Sequence, residues 1–191
     1  AQLYQKAAEQ GHAEAQATVA YCYSRGYGVE KSAAEAARWF QKLAQQDGPE
    51  AWYWLGWCYY CGCGVEKNKP KGVQWYRKAA DQDYAEAQYQ LGDCYYFGWG
   101  VEEDKPKAVQ WYRKAADQGH ANAQWWLGHC YANGIGVKQD AVQAAQLYQK
   151  AAEQGHKDAQ LALADCYEQG RGVPKNPTLA ARWRTKNKIN T

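Results

Sequence analysis

The sequence contains no methionine, no long apolar segment and no marked excess of either charge. The stretch Ala51–Val65 is its least polar part, with 15 residues and no charge, and it is rich in Trp, Tyr, Cys and Gly. A spanning helix needs about 20 apolar residues, so we predict no membrane insertion. A formal net charge of +3 indicates neither an obligate nucleic-acid binder nor a membrane-surface protein. We therefore predict no nucleic-acid partner.

Arrangements that would indicate catalysis are also missing from the sequence. No Gly-rich phosphate loop follows a strand pattern, and no nucleophile has a clear base beside it. Cys58, Cys61 and Cys63 lack the second cysteine pair that makes a zinc motif specific. We therefore expect a non-enzymatic, soluble protein without a metal or another cofactor. The sequence leaves bacterial cytoplasm and periplasm open as compartments.

One motif, Gly-x-Gly-Val, recurs every 36 residues along the chain, first at Gly26 and last at Gly170. A fixed period of this length indicates a solenoid, in which each unit buries its apolar face against its neighbours. We predict a single repeat array over 1–191: a partial unit at 1–12, full units at 13–48, 49–84, 85–120 and 121–156, and a capping unit at 157–191. The start in mid-unit and the lack of methionine predict a processed or engineered piece. The first helix, within 1–12, is a candidate surface for end-to-end self-association.

Each unit is predicted to form two helices, A and B. The A helices are expected at Ala13–Arg25, Pro49–Cys61, Ala85–Phe97, Ala121–Asn133 and Lys157–Gln169, because small and apolar residues recur there on one helical face. The B helices follow residues that favour the N-cap position, namely Ser32, Asn68, Asp104, Asp140 and Asn176. We expect helix B to bury Trp39, Trp75, Trp111, Leu147 and Trp183. In the other units an aromatic residue follows this position, whereas the last unit has Arg184 there. A polar residue at this place predicts a solvent-exposed terminal repeat.

Cysteines and histidines also follow the repeat. We predict that Cys22, Cys58, Cys94, Cys130 and Cys166 are reduced and buried, since neighbouring helices lie about 8–10 Å apart, beyond the reach of a disulfide. His12, His120 and His156 share one turn between units, and we expect a structural role for them.

The motif A-x-A-Q-x-x-L-G-x-C-Y-x-x-G-x-G-V, followed by A-V-Q-W-Y-R-K-A-A-D-Q-G, resembles the Sel-1-like repeat, a relative of the tetratricopeptide repeat. The third unit carries it at Ala87, Leu91, Gly92, Tyr95, Gly98, Gly100, Trp111, Tyr112, Ala115 and Ala116. The resemblance implies an all-α fold, a right-handed superhelix of antiparallel helix pairs whose A helices line the concave side. It also implies an adaptor in protein complexes. Pro49 and Trp52 depart from the pattern, which usually has Ala and Gln there.

One face of helix A is left over once the shared positions are set aside, and in the tetratricopeptide relative this face lines the binding groove. The predicted binding residues on it are Glu50, Tyr53, Trp57, Tyr60, Glu86, Tyr89, Asp93, Tyr96, Phe97, Trp125, His129 and Asp165. Trp and Tyr dominate binding hot spots, and the carboxylates favour a cationic ligand. We therefore predict that a protein or peptide segment with basic and apolar side chains binds in an acidic, aromatic groove.

Two other interpretations remain open. Exposed Trp and Tyr also stack on sugar rings, which would make the protein a carbohydrate-binding solenoid. A designed or purely structural array without a ligand would use the same aromatics as packing between helices. Its carboxylates Glu50 and Glu86 would then serve only the first turns of their helices, where the macrodipole favours negative charge.

Overall fold

The computed structural model describes the backbone of residues 2–189 and the side chains of residues 4–186. Ala1, Asn190 and Thr191, at the ends of the first and last predicted units, lie outside the described residues. Within that range every regular element is a helix: α1 Gln2–Glu9, α2 Ala13–Arg25, α3 Ala33–Ala44, α4 Pro49–Cys61, α5 Lys69–Ala80, α6 Ala85–Phe97, α7 Lys105–Asp117, α8 Ala121–Asn133, α9 Ala141–Glu153, α10 Lys157–Gln169 and α11 Pro177–Ile189. The predicted all-α class is confirmed.

The A helices α2, α4, α6, α8 and α10 have the bounds that the sequence predicts. Each ends at a glycine whose φ lies between 69° and 78°, the left-handed conformation that a residue without Cβ adopts without strain. The amide of this glycine donates to the carbonyl of the repeated cysteine, as Gly62 does to Cys58 at 2.8 Å. The repeated Gly therefore ends helix A at the same position in each unit.

The B helices begin at the predicted caps. The side-chain oxygens of Ser32, Asn68, Asp104, Asp140 and Asn176 accept a hydrogen bond from the amide three residues later, at 2.9–3.2 Å. Each bond satisfies one of the donors that the first helical turn leaves without an intrahelical partner.

The chain divides into two compact units, Ala1–Glu103 and Asp104–Thr191. The first contains α1 to α6 and the second contains α7 to α11. Within each unit, helices that follow one another along the chain pack together, and in the first unit the A helices α2 and α4 also contact each other. This contact brings the side chains of two successive repeats onto one surface.

The prediction for the B-helix core is wrong in most repeats, because the residue after the tryptophan is the more deeply buried one. Tyr76 and Tyr112 are 1% and 0% exposed, whereas the tryptophans that precede them are only half-buried. Trp39 is an exception and is buried as predicted. Consecutive helical residues point in directions about 100° apart, so only one of the two can face helix A squarely. The tryptophan lies beside it under a lysine, as Trp111 does with Lys114 Nζ 4.3 Å from its ring centre.

A repeated glutamine joins neighbouring repeats within each unit, a role that the sequence did not reveal. Gln16, Gln88, Gln124 and Gln160 are buried, and each Nε2 donates to a carbonyl near the end of the preceding B helix at 3.0–3.2 Å. These carbonyls belong to the last turn of the helix, and each also accepts from the amide three residues later, as Ala152 does from Gly155 at 3.0 Å. In α4 the corresponding residue is Trp52, whose Nε1 donates to Asp47 instead.

Candidate functional site

The first unit carries two groups of rings that the buried ring of Tyr76 joins. Together we call them the aromatic patch: Tyr21, Tyr27, Tyr53, Trp54, Trp57, Tyr60, Phe97 and Trp99. Its centre is Trp57, whose ring lies 5.1 Å from that of Tyr21 and 5.6 Å from that of Trp54. On the far side, Tyr60 lies 6.2 Å from Trp99, which stacks on Phe97 at 4.5 Å. The predicted residues of α4 are therefore brought together with four aromatics that the prediction did not include.

Helical spacing explains how α4 presents its part of the patch. Tyr53, Trp57 and Tyr60 follow one another at intervals of four and three residues, which places them on one side of the helix. Their rings are half-buried, since Trp57 packs against the core of the first unit and Tyr53 and Tyr60 lie against the buried ring of Tyr76. Tyr27 and Phe97 are the most open members, at 59% and 39% exposure. The patch thus combines packing between repeats with accessible ring surface.

Three exposed carboxylates, Glu14, Glu50 and Glu86, lie in the first turns of α2, α4 and α6. Their negative charge reaches the patch. The pKa of the Tyr84 hydroxyl is raised to about 12, first by burial and then by Glu86 and Glu50. Burial raises the pKa of Tyr53 as well, with Glu86 adding to the effect. The ring of Tyr84 lies 5.6 Å from that of Tyr53, so the acidic residues adjoin one edge of the patch.

Cations of the protein itself lie over the rings of the patch. Lys69 Nζ is 5.1 Å from the ring centre of Tyr60 and 5.8 Å from that of Trp99. The guanidinium of Arg25 lies 5.9 Å from the ring centre of Tyr21. Aromatic faces attract cations through their quadrupole, so the patch is chemically suited to lysine and arginine side chains.

Three predicted residues of α6 are less exposed than Phe97, which is also predicted: Tyr89, Asp93 and Tyr96. Asp93 and Tyr96 are 8% and 9% exposed, and Tyr89 is half-buried. The ring of Tyr96 packs against that of Phe97 at 4.8 Å, which leaves Phe97 as the outer ring of the two. The expectation of an open groove position is therefore wrong for Asp93 and Tyr96, because both side chains lie inside the protein.

In the second unit the predicted residues Trp125 and His129 belong to a smaller cluster. The indole of Trp125 stacks on His129 at 5.8 Å and on His156 at 5.7 Å. His129 also lines a cavity of about 380 Å³ whose wall includes Asp165, Tyr148 and other residues of the same unit. Burial lowers the pKa of His129, which favours its neutral form.

The carboxylate of Asp165 is paired within the chain. Arg184 Nη2 lies 2.9 Å from Asp165 Oδ1, and Arg184 Nη1 contacts the carboxylate of Glu168. The arginine that was expected only to face solvent at the last repeat thus neutralises two acids on the A-helix face. Asp165 and Glu168 are therefore paired within the chain, whereas Glu14, Glu50 and Glu86 of the first unit and Asp158 of the second lie exposed in the first turns of their helices.

Histidines and cysteines take the structural places expected of them, with some exceptions. Nδ1 of His120 and of His156 accepts a hydrogen bond from the amide three residues later, at 3.2 Å, so each caps an A helix. His12 makes no such bond. Cys58, Cys94, Cys130 and Cys166 are buried as predicted, whereas Cys22 is half-buried.

The described residues contain no candidate metal site and no candidate membrane-spanning helix. Among residues 2–189, no three His, Cys, Asp or Glu side chains come together in a way that could hold a metal ion. No helix in the same range has both the length and the apolar character needed to cross a bilayer.

Comparison with known proteins gives consistent matches. The family model described as Sel1 repeat matches residues 1–12, 13–48, 49–84, 85–120, 121–156 and 157–183. The fold is similar to that of c5321, a protective antigen of uropathogenic Escherichia coli displaying an SLR fold, with a TM-score of 0.81 and 36% identity over 98% of this chain. The chain spans 40% of the length of that structure. No curated protein sequence matches.

Two further solved structures are similar over nearly the whole chain. A Sel1 repeat protein from Oxalobacter formigenes is 40% identical, with a TM-score of 0.76, over 94% of this chain and 71% of its own. The immunity protein Pa5087 from Pseudomonas aeruginosa is 27% identical, with a TM-score of 0.63, over 98% of this chain and 69% of its own. These likenesses confirm the predicted solenoid of helix pairs.

Proposed function

Because the chain belongs to the Sel1 repeat family, we propose that it is a non-enzymatic scaffold that binds a segment of a partner protein on the aromatic patch. Helical repeat proteins of this family are typically protein-interaction scaffolds. The observation that carries the proposal is the group of half-buried rings centred on Trp57, next to exposed carboxylates. Clustered Trp and Tyr side chains are the commonest energetic anchors of protein interfaces.

The chemistry of the patch favours a partner segment with lysine or arginine and apolar side chains. Lys69 and Arg25 already lie over rings of the patch, which supports the idea that a partner's cation can do the same. Glu50 and Glu86 would attract that cation from solution, and Phe97 and Trp99 would cover an apolar side chain beside it.

Selection of peptides from a random display library on the purified protein tests this proposal. We expect enriched sequences that combine basic and large apolar residues. The affinity of a selected peptide should fall at least about tenfold in Trp57→Ala, since truncation of a hot-spot residue costs about 2 kcal/mol or more. Trp111→Ala is the matched control, because it removes a half-buried tryptophan of a B helix outside the patch.

Salt separates a peptide ligand from a sugar. Peptide affinity should fall as the salt concentration rises, because screening weakens attraction to the carboxylates. Salt-independent binding of neutral oligosaccharides, lost in Trp57→Ala, would favour the carbohydrate interpretation instead. Failure to enrich any peptide, or equal affinities of Trp57→Ala and the wild type, would contradict the proposal.

A further inference from the structure

The end of α4 holds two thiols, Cys61 and Cys63, at positions where the other repeats have none. Elsewhere these two positions are occupied by the pairs Arg25 and Tyr27, Phe97 and Trp99, Asn133 and Ile135, and Gln169 and Arg171. The two cysteines are therefore not part of the repeated core, and neither the solenoid fold nor the proposed binding surface requires them.

The turn that ends α4 brings the two thiols together. Gly62, which lies between them, has a φ of 78°, and the amides of Gly62 and Cys63 both donate to the carbonyl of Cys58. This left-handed turn folds the chain back on itself, so the Cα atoms of the two cysteines, which only Gly62 separates, lie within about 7 Å of each other, close to the span of a disulfide. Cys61 is half-buried, whereas Cys63 is fully buried. One thiol is thus accessible to a reagent, and the other lies inside the core two positions further along the chain.

Charges around the pair favour a thiolate on Cys61. The hydrogen bond from Cys63 lowers the pKa of Cys61 to about 7, and the positive charges of Arg25 and Lys67 act in the same direction. The guanidinium of Arg25 is held nearby, since its Nη2 donates to the carbonyl of Cys61 at 3.5 Å. The same sulfur–sulfur hydrogen bond, followed by burial, raises the pKa of Cys63. Of the two thiols, Cys61, the accessible one, is therefore the more readily ionised.

We propose that Cys61 and Cys63 form a modification site, a dithiol that low-molecular-weight disulfides oxidise to a reversible Cys61–Cys63 disulfide. The Cys61 thiolate attacks one sulfur of the reagent, forms a mixed disulfide and releases the first reagent thiolate, which takes up a proton. Cys63 then loses its proton and attacks the Cys61 sulfur, which releases the second reagent thiol. In total two protein thiols are oxidised and one reagent disulfide is reduced to two thiols.

Three other cysteines of the chain would react less readily than Cys61. Cys58, Cys94 and Cys130 are fully buried, and burial raises the pKa of each to about 12. A buried thiol with a raised pKa is neither accessible nor ionised near neutral pH, so it reacts slowly. Cys94 therefore provides a matched control for Cys61 within the same compact unit.

Incubation of the folded protein with oxidised glutathione, followed by mass spectrometry, tests the proposal. We expect the intact mass to fall by two hydrogens and a peptide containing a Cys61–Cys63 bond to appear, both reversed by excess dithiothreitol. Cys63→Ser should stop at the first step and gain one glutathione on Cys61, whereas Cys94→Ser should behave as the wild type does. A wild-type protein that retains glutathione on Cys61, or that stays unmodified, would overturn the proposal.

The pH dependence of alkylation provides a second readout that does not depend on disulfide formation. The rate at which iodoacetamide modifies Cys61 should reach half of its maximum near pH 7. In Cys63→Ala this midpoint should move upward, because the hydrogen bond that stabilises the thiolate is lost. A wild-type midpoint near the ordinary thiol pKa of about 8.5 would contradict the arrangement of charges described above.

Discussion

The helix pairs α4–α5 and α10–α11 occupy the same place in the repeat but present different surfaces. At three matching positions α4 has Tyr53, Trp57 and Tyr60, whereas α10 has Leu161, Asp165 and Glu168. The B helices differ in the same way, since buried Tyr76 of α5 corresponds to exposed Arg184 of α11.

The difference shows that one backbone can hold two kinds of surface. Arg184 reaches the A helix of its own pair and forms ion pairs with Asp165 and Glu168, so these two carboxylates are paired within the chain. In α4 the rings of Trp57 and Tyr60 pack side by side with other aromatics and remain half-buried. The scaffold is thus set by the shared positions, and a binding surface is to be sought where the repeats differ.

The largest expected difference is in the free energy of unfolding, between variants at the matching B-helix positions Tyr76 and Arg184. Tyr76→Ala leaves a cavity in the core and should lower the free energy of unfolding by about 3–5 kcal/mol. Arg184→Ala removes only exposed ion pairs, so it should change the free energy of unfolding far less. Urea denaturation followed by circular dichroism measures both. Similar losses in the two variants would mean that the last pair depends on Arg184 as a core residue.

The two A-helix surfaces should also differ in binding. Tyr60→Ala removes a ring that contacts Trp99 and Lys69, and it should weaken the affinity of a selected peptide about five- to thirtyfold. Glu168→Ala changes a carboxylate that is already paired, so the affinity should stay within about twofold. Titration calorimetry gives both affinities. A larger loss in Glu168→Ala would place the ligand on α10 instead of α4.

The next prediction concerns the buried glutamine, which α10 shares with most other A helices and which Trp52 replaces in α4. Gln160→Ala removes one of two hydrogen bonds to the carbonyl of Ala152, which keeps its bond from the amide of Gly155, and it should cost about 0.5–1.5 kcal/mol of unfolding free energy. Gln149→Ala, which removes an exposed bond to Glu153, should change stability by less than about 0.5 kcal/mol. Equal effects of the two variants would show that the buried bond contributes little.

The smallest expected effect concerns the caps of the two A helices. His156 caps α10 with neutral Nδ1, whereas Gly48 stands at the corresponding position before α4. Burial lowers the pKa of folded His156 below 6.5, so folding favours the neutral form. The contribution of neutral His156 to the free energy of unfolding is complete above pH 6.5. It is lost as the pH falls through the lower pKa of the folded protein.

His156→Asn keeps a capping oxygen that does not titrate in this range. Its melting temperature should therefore fall less between about pH 7.5 and 5 than that of the wild type. The corresponding difference in the free energy of unfolding should be less than about 1 kcal/mol. An identical or steeper fall in the variant would contradict the capping role of the neutral imidazole.

Helix bounds and caps were predictable from the sequence because they are encoded locally. A glycine that adopts positive φ and an Asn or Asp that accepts from the first turn act within a few residues, as at Gly62 and Asn68. Periodicity did not show that Tyr76 rather than Trp75 is buried, because adjacent residues lie on neighbouring parts of one helical face and the facing helix decides between them.

The candidate site was predictable only in part for a related reason. The face of α4 that carries Trp57 follows from helical spacing, but the ring contacts with Tyr21 depend on how two repeats pack. The ion pair of Asp165 depends on a long side chain from another helix, and no spacing rule within α10 contains that information. The positions of one A-helix face had indicated an acidic, aromatic groove along the array, whereas the aromatic patch belongs to the first unit and Asp165 and Glu168 of the second unit are paired with Arg184.

The central claim is that a partner segment binds over Trp57 and Tyr60, and intermolecular nuclear Overhauser effects with a selected peptide test it most directly. The account predicts contacts from the peptide's apolar and basic side chains to the rings of Trp57, Tyr60 and Trp99. Contacts only to the B-helix tryptophans, such as Trp75 or Trp111, would contradict it.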